Sequence, residues 1–245
     1  MTIPIESSAR HVHLTQRAVE KLFGPGAALA KQRALSQPGE FLAEQRVKLV
    51  TPTGEIANVA VLGPVRKAIQ VEISLTDACA LGVNAPIRLS GDLRGAADMV
   101  LIGPAGAFEA PGSAIVAQAH VHMTPVDARS FGVSDGQPLS VRVNSARPVT
   151  FESVVARVSD SFALAMHIDF DEANACGLQP GDMGELLGAQ KAPLFGEGGL
   201  DEKLITEELA KRLVSQGKLV LRKGTIITPA ARDVLNHAKT VIEYV

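Results

Sequence analysis

The 245-residue sequence predicts a mainly β protein with short helices (an α+β class): two tandem β-barrel domains related by internal duplication, then a small C-terminal α/β extension. Three observations lead to this reading. A His-Val-His motif with matching flanks occurs twice; β-prone runs are short and broken by turn residues; and the composition shifts after Leu187. The first barrel module is expected over residues 1–95, the second over 96–187, and a linker with its extension over 188–245.

The duplication is the strongest signal. Residues 9–16 read Ala-Arg-His-Val-His-Leu-Thr-Gln and residues 118–125 read Gln-Ala-His-Val-His-Met-Thr-Pro. Each motif runs into a helix-like segment that closes at Phe23-Gly24 or Phe131-Gly132. Thr15 and Thr124 are expected N-caps, and Pro125 sits where the first helical turn tolerates proline. A second pair supports the first: Glu72 to Ala78 matches His167 to Ala173, and each continues through an alanine-rich run to Gly82 or Gly177. Both read as a strand entering a short helix.

Strands are expected at 46–50, 56–62, 69–73, 86–89, 97–102, 139–143, 154–158 and 162–168. Turns such as Thr53-Gly54, Gly63-Pro64, Ser90-Gly91-Asp92 and Asp135-Gly136 separate them. Many short strands with few helices favour small barrels over a doubly wound sheet. No Gly-rich phosphate loop follows a strand, which argues against a nucleotide fold. Residues 188–199 are rich in Gly, Ala and Pro and read as a linker. Beyond it, a helix is expected from Asp201 to about Gln216, strand–turn–strand over Lys218–Thr228, and a last helix over Pro229–Lys239.

Composition narrows the function. With 46% hydrophobic and 20% charged residues the chain has the make-up of a folded globular protein, its core built from aliphatic side chains because Trp is absent. A net charge of −2 offers no footprint for nucleic acid. No segment reaches the roughly 20 apolar residues that a membrane-spanning helix needs, and the N-terminus lacks the basic start and apolar run of a signal peptide. Two cysteines, Cys79 and Cys176, without a CxxC, suit a reduced cytoplasmic setting.

Five of the six histidines lie at the repeat landmarks: His11, His13, His120, His122 and His167. Residues i and i+2 of a strand share a face, so each His-x-His pair aims two imidazoles at one point. Imidazole is a common ligand of zinc and related divalent ions. Glu72 occupies the repeat position of His167, so one half offers a carboxylate where the other offers an imidazole. One such pair on a strand is usually incidental; two in equivalent positions favour a metal site. The cupin spacing, the HxHxDH pattern and HExxH are all missing. His237 reads as a solvated helix residue. Arg66 follows the turn Leu62-Gly63-Pro64, six residues before Glu72, where a guanidinium fork could hold phosphate; a surface position suits that spacing equally.

At these residues the chain resembles the PduL-type phosphotransacylases, also called phosphate propanoyltransferases. The matching strings are Ser8 to Leu14, Leu35 to Phe41, Leu62 to Arg66, Gln70 to Ala78, Ser90 to Asp92, His120 to Met123 and His167 to Ala175, running from about Ile3 to Leu187. The resemblance implies two β-barrels capped by short helices, with two zinc ions per chain and coenzyme A as substrate or product. It assigns His11 and His13 to one metal, and Glu72, His120, His122 and His167 to the other. It makes Arg66 the phosphate-binding arginine and places Ser8, Arg33 and Asn174 against coenzyme A, with Arg33 standing where the pattern leads one to expect lysine.

The implied reaction is reversible transfer of a short acyl group, propanoyl or acetyl, between coenzyme A and inorganic phosphate. Neither Cys79 nor Cys176 sits in a matched string, so direct transfer without a covalent acyl-enzyme is expected. Two other readings stay open from the residues themselves: a metal-dependent hydrolase using the same ligands, and a non-catalytic metal-binding module. The partners implied are acyl-CoA and phosphate, with no nucleic acid and no membrane; a homo-oligomer is compatible. Relatives of this type are often housed in bacterial microcompartments through an N-terminal extension. The first match near Ile3 leaves no room for one, so a free cytoplasmic protein is expected, with the tail of residues 188–245 as the alternative carrier of targeting or assembly.

Overall fold

Alternation of buried and cavity-facing residues along short strands governs the fold. The computed structural model describes residues 2–189, 203–213, 218–221, 223–238 and 240–244. The first repeat runs β1 (Thr2–Ser8), β2 (His11–His13), α1 (Gln16–Phe23), β3 (Lys31–Ala34), β4 (Phe41–Val50), β5 (Glu55–Gly63), β6 (Gln70–Ile73), α2 (Leu75–Leu81), β7 (Ile87–Arg88) and β8 (Ala97–Gly103). The second runs β9 (Gly106–Ala117), β10 (His120–Met123), α3 (Pro125–Phe131), β11 (Pro138–Asn144), β12 (Val149–Val158), β13 (Ala165–Asp169), α4 (Phe170–Cys176) and β14 (Met183–Ala189).

Two six-stranded barrels result. One closes in the order β1-β13-β10-β12-β11-β14. The other has the order β4-β5-β2-β6-β9 and is closed by β8, which pairs with both β4 and β9; β3 and β7 lie at its margins. The fold class expected from sequence is therefore found. The barrels do not, however, follow a partition at residue 95/96. β1 belongs to the second barrel, parallel to β13, whereas β8 and β9 belong to the first, with β9 parallel to β6. Each repeat lends its opening strand to the other barrel.

The physical reason is apolar burial. Ile3 of β1 is fully buried and packs with Val121, Met166 and Ile168 in the second core, while Ala114 and Val116 of β9 join Val12, Val71 and Ile73 in the first. Local sequence does not reveal which distant strand a segment will pair with, and β1, β3, β9 and β14 were not among the expected strands. β9 in particular carries Pro111 and Gly112, which read as breakers.

The helix termini obey local rules. Thr15 caps α1 by accepting from the Ala18 N–H, and Thr124 caps α3 ahead of Pro125 in its first turn. Helices α2, α3 and α4 all open with a capping box (Ser74/Asp77, Thr124/Asp127, Asp169/Glu172). All three end at a glycine with φ of 64°, 67° or 63°, a conformation that favours glycine. Gly63 is constrained differently: a β-carbon there would lie 2.1 Å from the Phe41 ring. Its bareness lets the end of β5 pass Phe41 and lead the chain towards Arg66.

Residues 191–245 form a separate compact unit. Its described elements are β15 (Leu204–Ile205), α5 (Glu207–Leu213), β16 (Lys218–Leu221), β17 (Ile226–Ile227), α6 (Pro229–His237) and β18 (Val241–Tyr244). β15 pairs in parallel with β17, and β16 with β18, over a small core that includes Ile205, Leu219, Ala231 and Leu235. The expected strand–turn–strand and last helix are present, and His237 is exposed. The preceding helix starts at Glu207 rather than at Asp201: Leu204 and Ile205 form β15 instead, and the Thr206 hydroxyl oxygen accepts from the Leu209 N–H at the helix start. Asp201, read as its cap, lies outside the described residues, as does most of the expected linker. Its first residues, Gly188 and Ala189, instead end β14.

The exchanged strand yields a test. Ile3→Ala leaves a cavity in the second core and should cost about 3 kcal/mol of stability. Hydrogen exchange should quicken in β10–β14 well before β4–β6; faster exchange confined to β2–β6 would contradict the pairing.

Candidate metal centre and active-site cavity

Two short strands aim the imidazoles. β2 sends Val12 into the first core and turns His11 and His13 to the opposite face; β10 sends Val121 and Met123 into the second core and turns out His120 and His122. The adjacent antiparallel strand supplies a third donor each time. His11 stands opposite Glu72 of β6, and His120 stands opposite His167 of β13. The repeat relation read between Glu72 and His167 is thus a three-dimensional equivalence.

The donor atoms of His11, His13 and Glu72 lie within 4.8 Å of one another, as do those of His120, His122 and His167. Glu72 Oε1 is 3.6 Å from His11 Nε2 and 3.9 Å from His13 Nε2. This corrects the grouping implied by resemblance, in which Glu72 joined the second set: β6 borders β2, so its carboxylate falls beside the first pair.

Both triads line a single cavity of about 570 Å³. Arg66, Ser8 and Arg33 line it too; Asn174 is exposed on α4 and is not one of its lining residues. The Arg66 backbone N–H donates to the Leu14 carbonyl at 2.8 Å, pinning the turn after β5 to the end of β2. Its guanidinium donates to Glu40 Oε1 at 2.9 Å and to Ser90 Oγ at 3.2 Å. Gln70 extends this network, its amide donating to Ser90 Oγ at 2.8 Å and to Glu72 Oε1 at 2.5 Å. Cys79 is exposed and Cys176 buried, and neither lines the cavity.

The family model for phosphate propanoyltransferases matches residues 4–179, a span containing both triads and Arg66. The chain belongs to the phosphate propanoyltransferase family. Curated relatives carrying that name include one from Listeria monocytogenes, 46% identical over 190 residues (78% of this chain and 89% of the relative). Another, from Clostridioides difficile, is 49% identical over 185 residues, covering 76% of this chain and 88% of its own. One from Alkaliphilus metalliredigens is 46% identical over 187 residues, with 76% and 88% covered. As a phosphate propanoyltransferase the protein is an acyltransferase, for which the family implies acyl-CoA and phosphate as substrates. The match leaves the C-terminal unit outside. No described helix is long and apolar enough to cross a membrane.

The hydrogen bonding of this phosphate propanoyltransferase's histidines fits divalent ions at both triads. His11 Nδ1 lies 2.8 Å from the Ala9 carbonyl, and His120 Nδ1 lies 2.8 Å from that of Gln118, each two residues back along the chain. An Nδ1–H donated to those carbonyls leaves each Nε2 with a lone pair turned to its cluster. His122 Nδ1, His13 Nδ1 and His167 Nε2 are buried without a hydrogen-bond partner. Buried polar atoms left this way need an explanation, and a cation seated among them supplies one.

Electrostatics prepares the ligands. Burial lowers the pKa of His120 to about 4, of His122 to about 2 and of His167 to about 4. His13 is also held well below its ordinary value, by burial and by the adjacent His11. These rings are neutral at pH 7, with lone pairs free. In the first triad burial alone would lower His11 and raise Glu72. Their mutual attraction outweighs it, lifting His11 and holding the Glu72 carboxyl well below the usual range.

Two cavity residues escaped the sequence reading. Glu6 of β1 stands opposite His167; its Oε2 is 3.9 Å from His167 Nε2 and accepts from the Ser36 hydroxyl at 2.6 Å. Arg157 of β12 stands opposite His122. Both are placed by long-range strand pairing, and duplication hides Arg157, because its counterpart opposite His13 is Leu62. The repeat comparison holds one clue: it exposes an unmatched charge.

Acid should destabilise the metal-free protein. His13, His120, His122 and His167 are depressed in the folded state, so the unfolded chain binds more protons below its pKa of about 6.5. Their contribution is complete above pH 6.5 and is lost as pH falls towards 4, and for His122 towards 2; His11, raised, and Glu172, raised by burial to about 7, act in the opposite sense but are outnumbered. Urea midpoints should therefore drop between pH 7.5 and 5, less steeply in His120→Gln/His167→Gln. A midpoint constant across that range would refute the neutral-imidazole assignment.

Proposed function

We propose that the protein catalyses reversible transfer of a short acyl group, propanoyl or acetyl, between coenzyme A and inorganic phosphate, assisted by two zinc ions. The observation that carries this reading is the meeting of two repeat-related triads, His11/His13/Glu72 and His120/His122/His167, in one cavity with Arg66. Imidazole and carboxylate donors in sets of three suit zinc and leave a coordination position open. Bound there, the metal supplies a Lewis acid that polarises a carbonyl or steadies a departing thiolate.

The chain's own residues do the rest. Phosphate is a poor nucleophile because it is anionic and strongly hydrated, so it has to be desolvated and oriented. Arg66 presents a guanidinium fork for it, held in place by Glu40 and Ser90. The phosphate oxygen attacks the thioester carbonyl, the carbon–oxygen bond forms, the carbon–sulfur bond breaks and coenzyme A leaves as thiolate. The proposed transfer passes through no acyl-cysteine, since neither Cys79 nor Cys176 lines the cavity. Ser8 and Arg33, both lining the cavity, are the residues assigned to coenzyme A. Contact with Asn174 would require the outer end of coenzyme A to run past α4, so that assignment draws no support from the cavity.

The test supplies propanoyl-CoA to zinc-loaded protein with and without phosphate, following free thiol and acyl phosphate. Phosphate-dependent release of both is expected. Release without phosphate would identify a hydrolase, and no release a binding module; either outcome overturns the reading. Arg66→Ala should raise the KM for phosphate about tenfold or more with zinc content unchanged. Loss of zinc would make Arg66 a structural residue instead.

A further inference from the structure

The cavity holds a second arginine that has no ion-pair partner among the described residues. Arg157 projects from β12 beside His122, half-buried, with its guanidinium carbon 5.5 Å from the centre of the Phe162 ring. The His122 ring centre lies 4.2 Å from that of the same Phe162. The guanidinium and a member of the second triad thus pack on one aromatic ring. Among the described residues no carboxylate lies within ion-pair distance of Arg157, and the only direct contact found for its guanidinium is the ring.

The other cavity arginines differ. Arg66 is neutralised by Glu40 at 2.9 Å. Arg46 spends its donors on the carbonyls of Ala43 and Gln45 and on Gln32, and Arg33 is exposed. Withdrawing a cation from water without a partner is costly, and such a group persists where a ligand of opposite charge completes it. Arg157 also occupies the position that Leu62 fills in the first repeat, so the charge is specific to the half of the cavity that has no acidic member in its triad.

We propose that Arg157 is a second anion-binding residue of the active site, holding the phosphate group of inorganic phosphate and of the acyl phosphate product against the second triad. This rests on the transacylase reading and extends it from one phosphate anchor to two. The diphosphate of coenzyme A is a poor candidate for the same contact. The long pantetheine arm separates it from the thiol, and a guanidinium packed on the same ring as a triad member sits at the reacting end.

The experiment compares wild type with Arg157→Ala and with Arg157→Met, which keeps an unbranched stem over Phe162 and protects against misfolding. In zinc-loaded protein both variants should raise the KM for phosphate, and for acyl phosphate in reverse, by about tenfold or more. The KM for acyl-CoA should stay within about twofold and zinc content should be unchanged. Calorimetric titration with inorganic phosphate should show the same weakening without turnover. An unaltered phosphate KM, a shift confined to acyl-CoA, or loss of zinc from both variants would overturn the assignment. Phosphate-independent thiol release by wild type would instead sink the underlying reading, so the two failures are separable.

Discussion

Everything in this cavity depends on the register between neighbouring antiparallel strands. His11 faces Glu72 across β2 and β6, and His120 faces His167 across β10 and β13. Because side chains alternate along a strand, a slip of one residue would bury the imidazoles and turn the core residues Val12 and Val121 into the cavity. Full burial of those valines, with their neighbours on β6 and β13, is what makes such a slip costly. The metal-binding geometry is inherited from the packing of an aliphatic core.

The exchange of β1 and β9 strengthens that platform. Each barrel includes a strand from the other repeat, and those strands end where the chain turns into a His-x-His motif. The carbonyls that orient His11 and His120 come from Ala9 and Gln118, in the links between the exchanged strands and the motif strands. Barrel closure and imidazole orientation are therefore consequences of the same few residues. The helices that follow are fixed by caps immediately after each motif, so the motif is held at both ends.

Duplication produced two similar sites, and three substitutions made them unequal. Glu72 corresponds to His167, Leu62 to Arg157 and Ile115 to Glu6, each pair occupying equivalent register positions. The first site carries its carboxylate inside the triad. The second is built of three imidazoles, with a guanidinium beside it and a carboxylate at its edge. A first site that is partly neutralised and a second that is more positive give an acyl-transfer cavity distinct ends for its anionic reactants.

The sequence by itself determined the parts governed by local physics. Helix caps at Thr15 and Thr124, the strand character of the His-x-His motifs, the equivalence of Glu72 and His167 and the small barrels were legible because periodicity, capping and repetition act over a few residues. The tertiary structure alone decided which barrel β1 and β9 would join, that Glu72 sides with His11 and His13, and that Glu6 and Arg157 enter the cavity while Asn174 stays outside. Those outcomes depend on pairing between segments far apart in the chain. Pairing is selected by which apolar faces bury best together, a property of the assembled core that no single stretch of sequence carries.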